Sequence, residues 1–322
     1  MPIGSPPAAS LSPQDKSPLI VWRLVDGKPG HEKQTLGLAQ ALLEKRHGEC
    51  ITLRVPSRFQ SWMNWITGRF PAGTSLPPPD LILSAGHATH FALLAARRAF
   101  GGRAIVLMKP SLPCSLFDLC LIPEHDQPPS EEGVIATRGV LNNLVDRHLH
   151  EPTRGLLLIG GPSPHFAWDS DAIRRQVIQL TEKFPDIRWV LTTSRRTPSD
   201  FLDGLGALPA IECIPAEKTS PGWLEKQMDR AMEAWCTPDS VSMVYEALTA
   251  GCRVGLLELP AVAGSRVADG VKILVSDGEV SSLRQVQAGL PTGAESVHQL
   301  SPPAPIDEAT RCAGVILKKW FE

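Results

Sequence analysis

Short apolar runs alternate with longer stretches in which apolar residues recur every three or four positions, and this alternation occurs twice along the chain. In the first half, residues 19–25, 51–55, 80–84, 103–108 and 117–122 read as buried strands, and 134–139 as a short closing strand. Between them, helical spacing starts at His31 or Glu32 and runs through Leu36, Ala39, Leu42 and Leu43. A second helix runs through Phe91, Leu94, Ala95 and Arg98. A polar stretch, 142–153, reads as a linker. The pattern then restarts with strands at 155–159, 187–191, 211–214, 231–236 and 254–260. Helices are expected from Asp171 through Leu180, through Phe201 and Leu205, and from Ser265 or Arg266 through Leu274. Ala309, Ala313, Ile316, Leu317 and Trp320 give a last helix within 306–322, and 261–305 carries the weakest signal. Strand and helix in alternation predict an α/β protein of two doubly wound, Rossmann-like units, 19–147 and 152–305. Residues 1–18, rich in Pro, Ser and Ala, read as a disordered tail.

Candidate chemistry collects where predicted strands end. After 231–236, Asp239, Ser240 and Ser242 crowd a helix start, where backbone N–H groups lack internal partners. Glu246 follows one turn beyond Ser242, Val241, Val244, Ala247 and Leu248 form the apolar stripe, and Gly251 is placed to end the helix in a left-handed cap. Free N–H groups and small hydroxyls suit a diphosphate, and a carboxylate further along suits a ribose diol. The same pattern also describes a well-capped helix with no ligand. Gly160 and Gly161 turn the first strand of the second half, and Thr193-Ser194-Arg195-Arg196 closes the next, which suits phosphate or a solvated basic turn alike. In the first half, strand 19–25 runs into Asp26-Gly27-Lys28-Pro29-Gly30, where Gly27 and Gly30 allow close backbone approach. The fingerprint G-x-G-x-x-G is missing, which disfavours a nicotinamide cofactor.

The segment Thr237-Pro-Asp-Ser-Val-Ser-Met-Val-Tyr-Glu246-Ala resembles the C-terminal sugar-nucleotide motif of GT-B glycosyltransferases. With Asp26-Gly-Lys-Pro-Gly-His-Glu-Lys-Gln34, it is similar to the family named after a plant mitochondrial-fission protein, which has many bacterial members. The resemblance runs from about Val21 to Leu259 and implies two Rossmann-like domains facing each other across a cleft, with a last helix crossing back to the first domain. It further implies a diphosphate on Ser240, Ser242 and their helix start, beside Asp239, and a ribose on Glu246. Gly160, Gly161, Thr193, Ser194 and Arg195 would line the nucleotide side. His31 is the leading general base, since a helix N-terminus disfavours the imidazolium, with Asp26 and His87 as competitors. No D-x-D pair ends a strand, so transfer would rely on the helix dipole and arginine, with no metal and no cofactor beyond a nucleoside-diphosphate sugar as substrate.

Composition narrows the partners. A formal net charge of −2 over 322 residues offers no basic excess for nucleic acid. Seven scattered cysteines, never spaced C-x-x-C, argue against a disulfide framework or zinc site and fit a reducing cytoplasm. No apolar run approaches the roughly 20 residues of a membrane span, and the start of the chain lacks the features of a signal peptide. Trp62, Trp65 and Ile66, flanked by Arg58 and Arg69, suit either a membrane-surface helix or one packed on its own domain. Three functions follow: a metal-independent glycosyltransferase with a lipid-linked or envelope acceptor, at the inner face of the membrane; a sugar-nucleotide epimerase using His31 with Glu124 or His125; or a membrane-associated interaction protein.

Overall fold

The structure is a computed structural model that describes residues 17–205, 211–288, 303 and 306–322. Its first sheet contains β1 (Leu19–Val25), β2 (Gly48–Arg54), β3 (Leu81–Ala85), β4 (Arg103–Leu107), β5 (Leu119–Pro123) and β6 (Val134–Thr137), in the order β2-β1-β3-β4-β5-β6. The second contains β7 (Glu151–Leu158), β8 (Arg188–Thr192), β9 (Ile211–Ile214), β10 (Ala231–Cys236), β11 (Arg253–Leu256) and the two-residue β12 (Ser281–Ser282), in the order β12-β11-β10-β7-β8-β9. All neighbouring strands pair in parallel. Parallel pairing forces each connection to cross back over a face, so helices cover both faces and every strand exit collects at one edge. Two Rossmann-like sheets of this kind make a GT-B-like fold.

The helices follow the sequence rules with instructive departures. Helix α1 (Pro29–Lys45) starts at Pro29, two residues before the expected His31, because a proline at the first position supplies a helical φ and lacks only an N–H that would be unpaired there. Helix α2 (Arg58–Thr67) is capped by Ser57 and stopped by Gly68 in the left-handed conformation, and α3 (His90–Phe100) follows β3. Helix α4 (Ser170–Lys183) is capped by Asp169. The expected helix through Phe201 and Leu205 is replaced by a single 3-10 turn at Asp203–Leu205. There the Arg174 guanidinium takes the Asp200 and Phe201 carbonyl oxygens as acceptors at 2.8 and 3.0 Å and stacks on the Phe201 ring, so a distant side chain shares the acceptors a longer helix would use. Helix α5 (Trp223–Arg230), absent from the sequence reading, begins after Gly222 at φ 77°. Helix α6 (Val241–Thr249) carries the motif and stops before Gly251 at φ 85°. Helix α7 (Arg266–Ser276) is capped by Ser265, α8 (Leu283–Gln287) by a reciprocal Ser282–Gln285 box, and α9 (Glu308–Trp320) by Asp307.

The expected linker is shorter than its polarity suggests, because β7 starts at Glu151 and Ala231 pairs with it. Ala309, Cys312, Ala313 and Ile316 of α9 share a core cluster with Leu38 and Leu42 of α1 and with the first sheet. The end of the chain thus closes one face of the half that began it. On α2 the aromatic residues divide. Trp65 turns inward, 5.6 Å from the Phe91 ring, whereas Phe59, Trp62, Met63 and Ile66 are exposed at i, i+3, i+4 and i+7. The outward stripe is therefore Phe59, Trp62, Met63 and Ile66, and Trp65 belongs to the core.

One strand holds an ionisable group that the core does not suit. Glu233 of β10 is fully buried, and that burial pushes its carboxyl up to about 8 against the opposing pull of Trp235 and Arg253. Its folded value lies above the unfolded value of about 4.3, so the stabilising proton is held at low pH and lost as pH rises through the folded value. Stability should decline by about 1 kcal/mol per pH unit between roughly pH 5 and 8. Glu233→Gln should flatten that slope, as read from urea midpoints at three pH values; parallel profiles would refute it.

Candidate functional site

Strand order decides where loops meet. In the second sheet it reverses between β7 and β10, so the loops leaving these neighbours diverge to opposite faces and leave a crevice. Gly160 and Gly161 follow β7, residues 193–197 follow β8, and Thr237 to Ser240 follow β10. Asp239, its side chain 1% exposed, ties all three together. Its Oδ2 accepts from the Gly161 N–H at 2.9 Å and from Arg196 Nη2 at 2.8 Å. Arg196 also donates through Nη1 to the carbonyls of Gly161 and Pro162, at 2.9 and 3.0 Å. Thr237 Oγ1 accepts from the Gly160 N–H at 2.7 Å, and Thr197 Oγ1 donates to the Gly160 carbonyl. The glycines are required by this closeness. A Cβ on Gly160 would lie 2.3 Å from the Asp239 carboxylate, and one on Gly161 2.3 Å from the Arg196 backbone.

Beside these loops lies a cavity of about 570 Å³, lined by Thr192, Thr193, Ser194, Arg195 and Arg196, by Ser240, Ser242 and Met243 of α6, and by Trp223 and Leu224 of α5. Of the expected nucleotide residues, Thr193, Ser194, Arg195, Ser240 and Ser242 share this cavity. Thr193 Oγ1 is engaged, accepting from the Ala216 N–H at 3.0 Å. Ser240 is the N-cap of α6 without a side-chain capping bond. Asp239 faces the loops and leaves the helix start uncapped. The two arginines differ: Arg196 is neutralised by Asp239, while Arg195 is exposed and has no ion-pair partner among the described residues. Trp223 was not among the expected site residues, and Arg196, which the sequence offered with Arg195 as a phosphate partner, is instead held by Asp239. The signal for Trp223 was one aromatic residue after Gly222, in a stretch without clear periodicity.

Glu246 lies one turn beyond Ser242, buried, and pairs across the cleft with Lys33 Nζ of α1 at 3.2 Å. Lys33 also reaches Glu225 of α5 at 3.3 Å. Burial raises the Glu246 carboxyl, and Lys33 opposes this; burial likewise lowers the Lys33 ammonium, but the two carboxylates outweigh it and hold it above its ordinary value.

In the first sheet the order reverses between β1 and β3, and there the two predicted turns meet. His31 Nδ1 lies 2.9 Å from Asp26 Oδ2, and a Cβ on Gly86 would fall 2.2 Å from the ring. A carboxylate on Nδ1 fixes the tautomer and leaves Nε2 as the nitrogen to take a proton. The leading base candidate, His31, and one of its two competitors, Asp26, are thus parts of one dyad. Gly27 adopts φ 84°, as an approach position requires, whereas Gly30 lies in the first turn of α1 facing open space. His87 is exposed. Glu124 and His125 line a separate cavity of about 200 Å³ with Tyr245, Arg266 and Glu279, apart from His31. Burial lowers the His125 imidazole. Among the described residues, no group of three His, Cys, Asp or Glu side chains is placed to hold a metal ion, and no helix is long and apolar enough to cross a membrane.

The model of the family described as Mitochondrial fission ELM1 matches residues 29–320. The chain belongs to that family. A stretch of 117 residues in this ELM1-family chain is 26% identical to an uncharacterized protein of Rickettsia prowazekii, spanning 33% of this chain and about a third, 32%, of that relative. Among solved structures, the UDP-GlcNAc 2-epimerase of Neisseria meningitidis bound to UDP-GlcNAc matches with a TM-score of 0.55 at 13% identity, over 94% of this chain and 99% of the other. MurG of Acinetobacter baumannii matches with a TM-score of 0.52 at 14% identity, over 94% and 100%. These likenesses establish the GT-B fold of two Rossmann-like halves for the ELM1-family chain.

Asp239→Ala should destabilise the protein by about 1–3 kcal/mol, because the Gly161 N–H and Arg196 lose a buried acceptor. Arg195→Ala should stay within about 0.5 kcal/mol of the parent. Urea unfolding separates the two, and equal effects would contradict the division of labour between the arginines.

Proposed function

We propose that this protein is a metal-independent glycosyltransferase that takes a nucleoside-diphosphate sugar in the second-half cavity. The observation that carries the reading is that cavity itself: the exit of β8, the start of α6, an Arg195 with no ion-pair partner among the described residues and the indole of Trp223 meet in one space of about 570 Å³. Its size lies within the usual range for small-molecule sites, roughly 300–1,000 Å³. A diphosphate would lie against Ser240, Ser242 and Arg195, drawing on the positive end of α6 and a bidentate guanidinium. Trp223 offers a flat face to a base, and Glu246 a carboxylate to the ribose hydroxyls. Across the cleft, His31, held by Asp26, would take the proton of an acceptor hydroxyl as it attacks the anomeric carbon and the nucleoside diphosphate departs. Backbone N–H groups and Arg195 would stabilise the departing charge without a divalent ion. The Neisseria neighbour carries UDP-GlcNAc, which makes uridine nucleotides the first ligands to try.

The acceptor side of the proposal rests on α2. Phe59, Trp62, Met63 and Ile66 form an exposed apolar stripe, Arg58 and Arg69 flank it, and the helix has no acidic residue. An interfacial helix of this kind favours an anionic lipid surface. It would bring a lipid-linked acceptor to the cleft from the cytoplasmic face.

A thermal-shift screen of nucleoside diphosphates and their sugars, with magnesium or with EDTA, tests the donor site. One base should raise the melting temperature equally in both, since a ligand at 100 times its Kd adds about 2.7 kcal/mol; no shift with any nucleotide would overturn the reading. The protein should sediment with liposomes containing phosphatidylserine, and Phe59→Ser with Trp62→Ser and Ile66→Ser should release it. Equal sedimentation of the triple variant would remove α2 from the proposal.

A further inference from the structure

Lys33 of the first half reaches two helices of the second, α5 and α6, whose first turns border the cavity. Its ammonium sits between Glu246 and Glu225, 3.2 and 3.3 Å away. Glu246 lies on α6 one turn beyond Ser242, which lines the cavity. Glu225 follows the cavity-lining Trp223 and Leu224 on α5. The same loops are short of positive charge. Arg196 is committed to Asp239, so among the described residues Arg195 is the only cavity-lining cation free to meet a diphosphate that carries at least two negative charges. Glu246 is also engaged: Lys33 holds its Oε1, which leaves only part of the carboxylate open to a ribose diol.

Both shortages end with a single exchange. We infer that Lys33 is a ligand-exchanged residue of the nucleotide site: a nucleoside diphosphate takes its ammonium from Glu246 onto the diphosphate, and the released carboxylate accepts from the ribose hydroxyls. This rests on the nucleotide reading of the cavity. Lysine suits the role. A point charge on a flexible four-carbon stem can swing between acceptors, whereas an arginine fork would favour one carboxylate. Residues one helical turn apart lie about 5–6 Å from each other, so the move from Glu246 to a phosphate at Ser242 is within a side-chain swing. The exchange also makes occupancy of the second half felt by the first, since Lys33 follows His31 by two residues on α1.

Calorimetry with UDP and with uridine, on the full chain, tests this. Lys33→Met should weaken UDP by about tenfold, the usual order of a lost charge-assisted contact, while uridine binds as well as before or better because Glu246 is released. Glu225→Gln removes one competitor for the ammonium and should tighten UDP about two- to threefold with uridine unchanged, which keeps the test alive if Lys33→Met fails to fold. Equal changes for UDP and uridine, or none, in a folded variant would refute the exchange and leave the cavity's nucleotide role intact. Wild-type protein that binds no nucleotide diphosphate of any base would overturn the nucleotide reading, and the role of Lys33 with it.

Discussion

A carboxylate almost removed from water must be paired where it stands, and Asp239 is such a group. Its burial would be costly without the Arg196 guanidinium and the Gly161 N–H, so the loops that supply them have little freedom. Thr197 and Thr237 then close the remaining gaps around Gly160. From that one requirement follow the tightness of the glycine turn, the setting of α6 on the second sheet and the separation of two adjacent arginines. One guanidinium is consumed in holding the loops, and its neighbour faces the cavity.

Helix α6 is one place where the halves of the molecule meet. Its first turn lines the cavity, and Glu246 meets Lys33 of the first half. Tyr245 packs so closely on Gly139 that a Cβ there would lie 2.4 Å from the ring. Further along, Thr249 Oγ1 accepts from Asn142 Nδ2 at 3.0 Å. The contacts differ in kind. The Tyr245 and Thr249 contacts adjoin the crossover between the sheets and are packed or buried, suiting a pivot. The Lys33 pair lies beside the cavity and is ionic, so competing charge can loosen it.

The periodicity of apolar positions determined the α/β class and the doubling of the pattern, because burial on both faces leaves parallel strands as nearly unbroken apolar runs. It also placed the polar turns after strands, where Ser240, Ser242, Thr193, Ser194 and Arg195 stand. Gly251 and Gly27 were legible because a left-handed backbone favours glycine. Local pattern failed where side chains from afar took over local hydrogen bonds, as Arg174 does at Phe201, and where an element was too short or too polar to show a period, as with α5, α8 and β12. Which side chains meet was decided only by tertiary structure. Strand order brought His31 to Gly86, the buried Asp239 chose Arg196 over Arg195, and Trp65 turned inward while Trp62 stayed out. Glu246 and Lys33 lie far apart in the chain, and no spacing within either segment could state their contact. A sequence specifies residue types and local periods, whereas pairing depends on how two sheets dock and on the cost of leaving a buried charge alone.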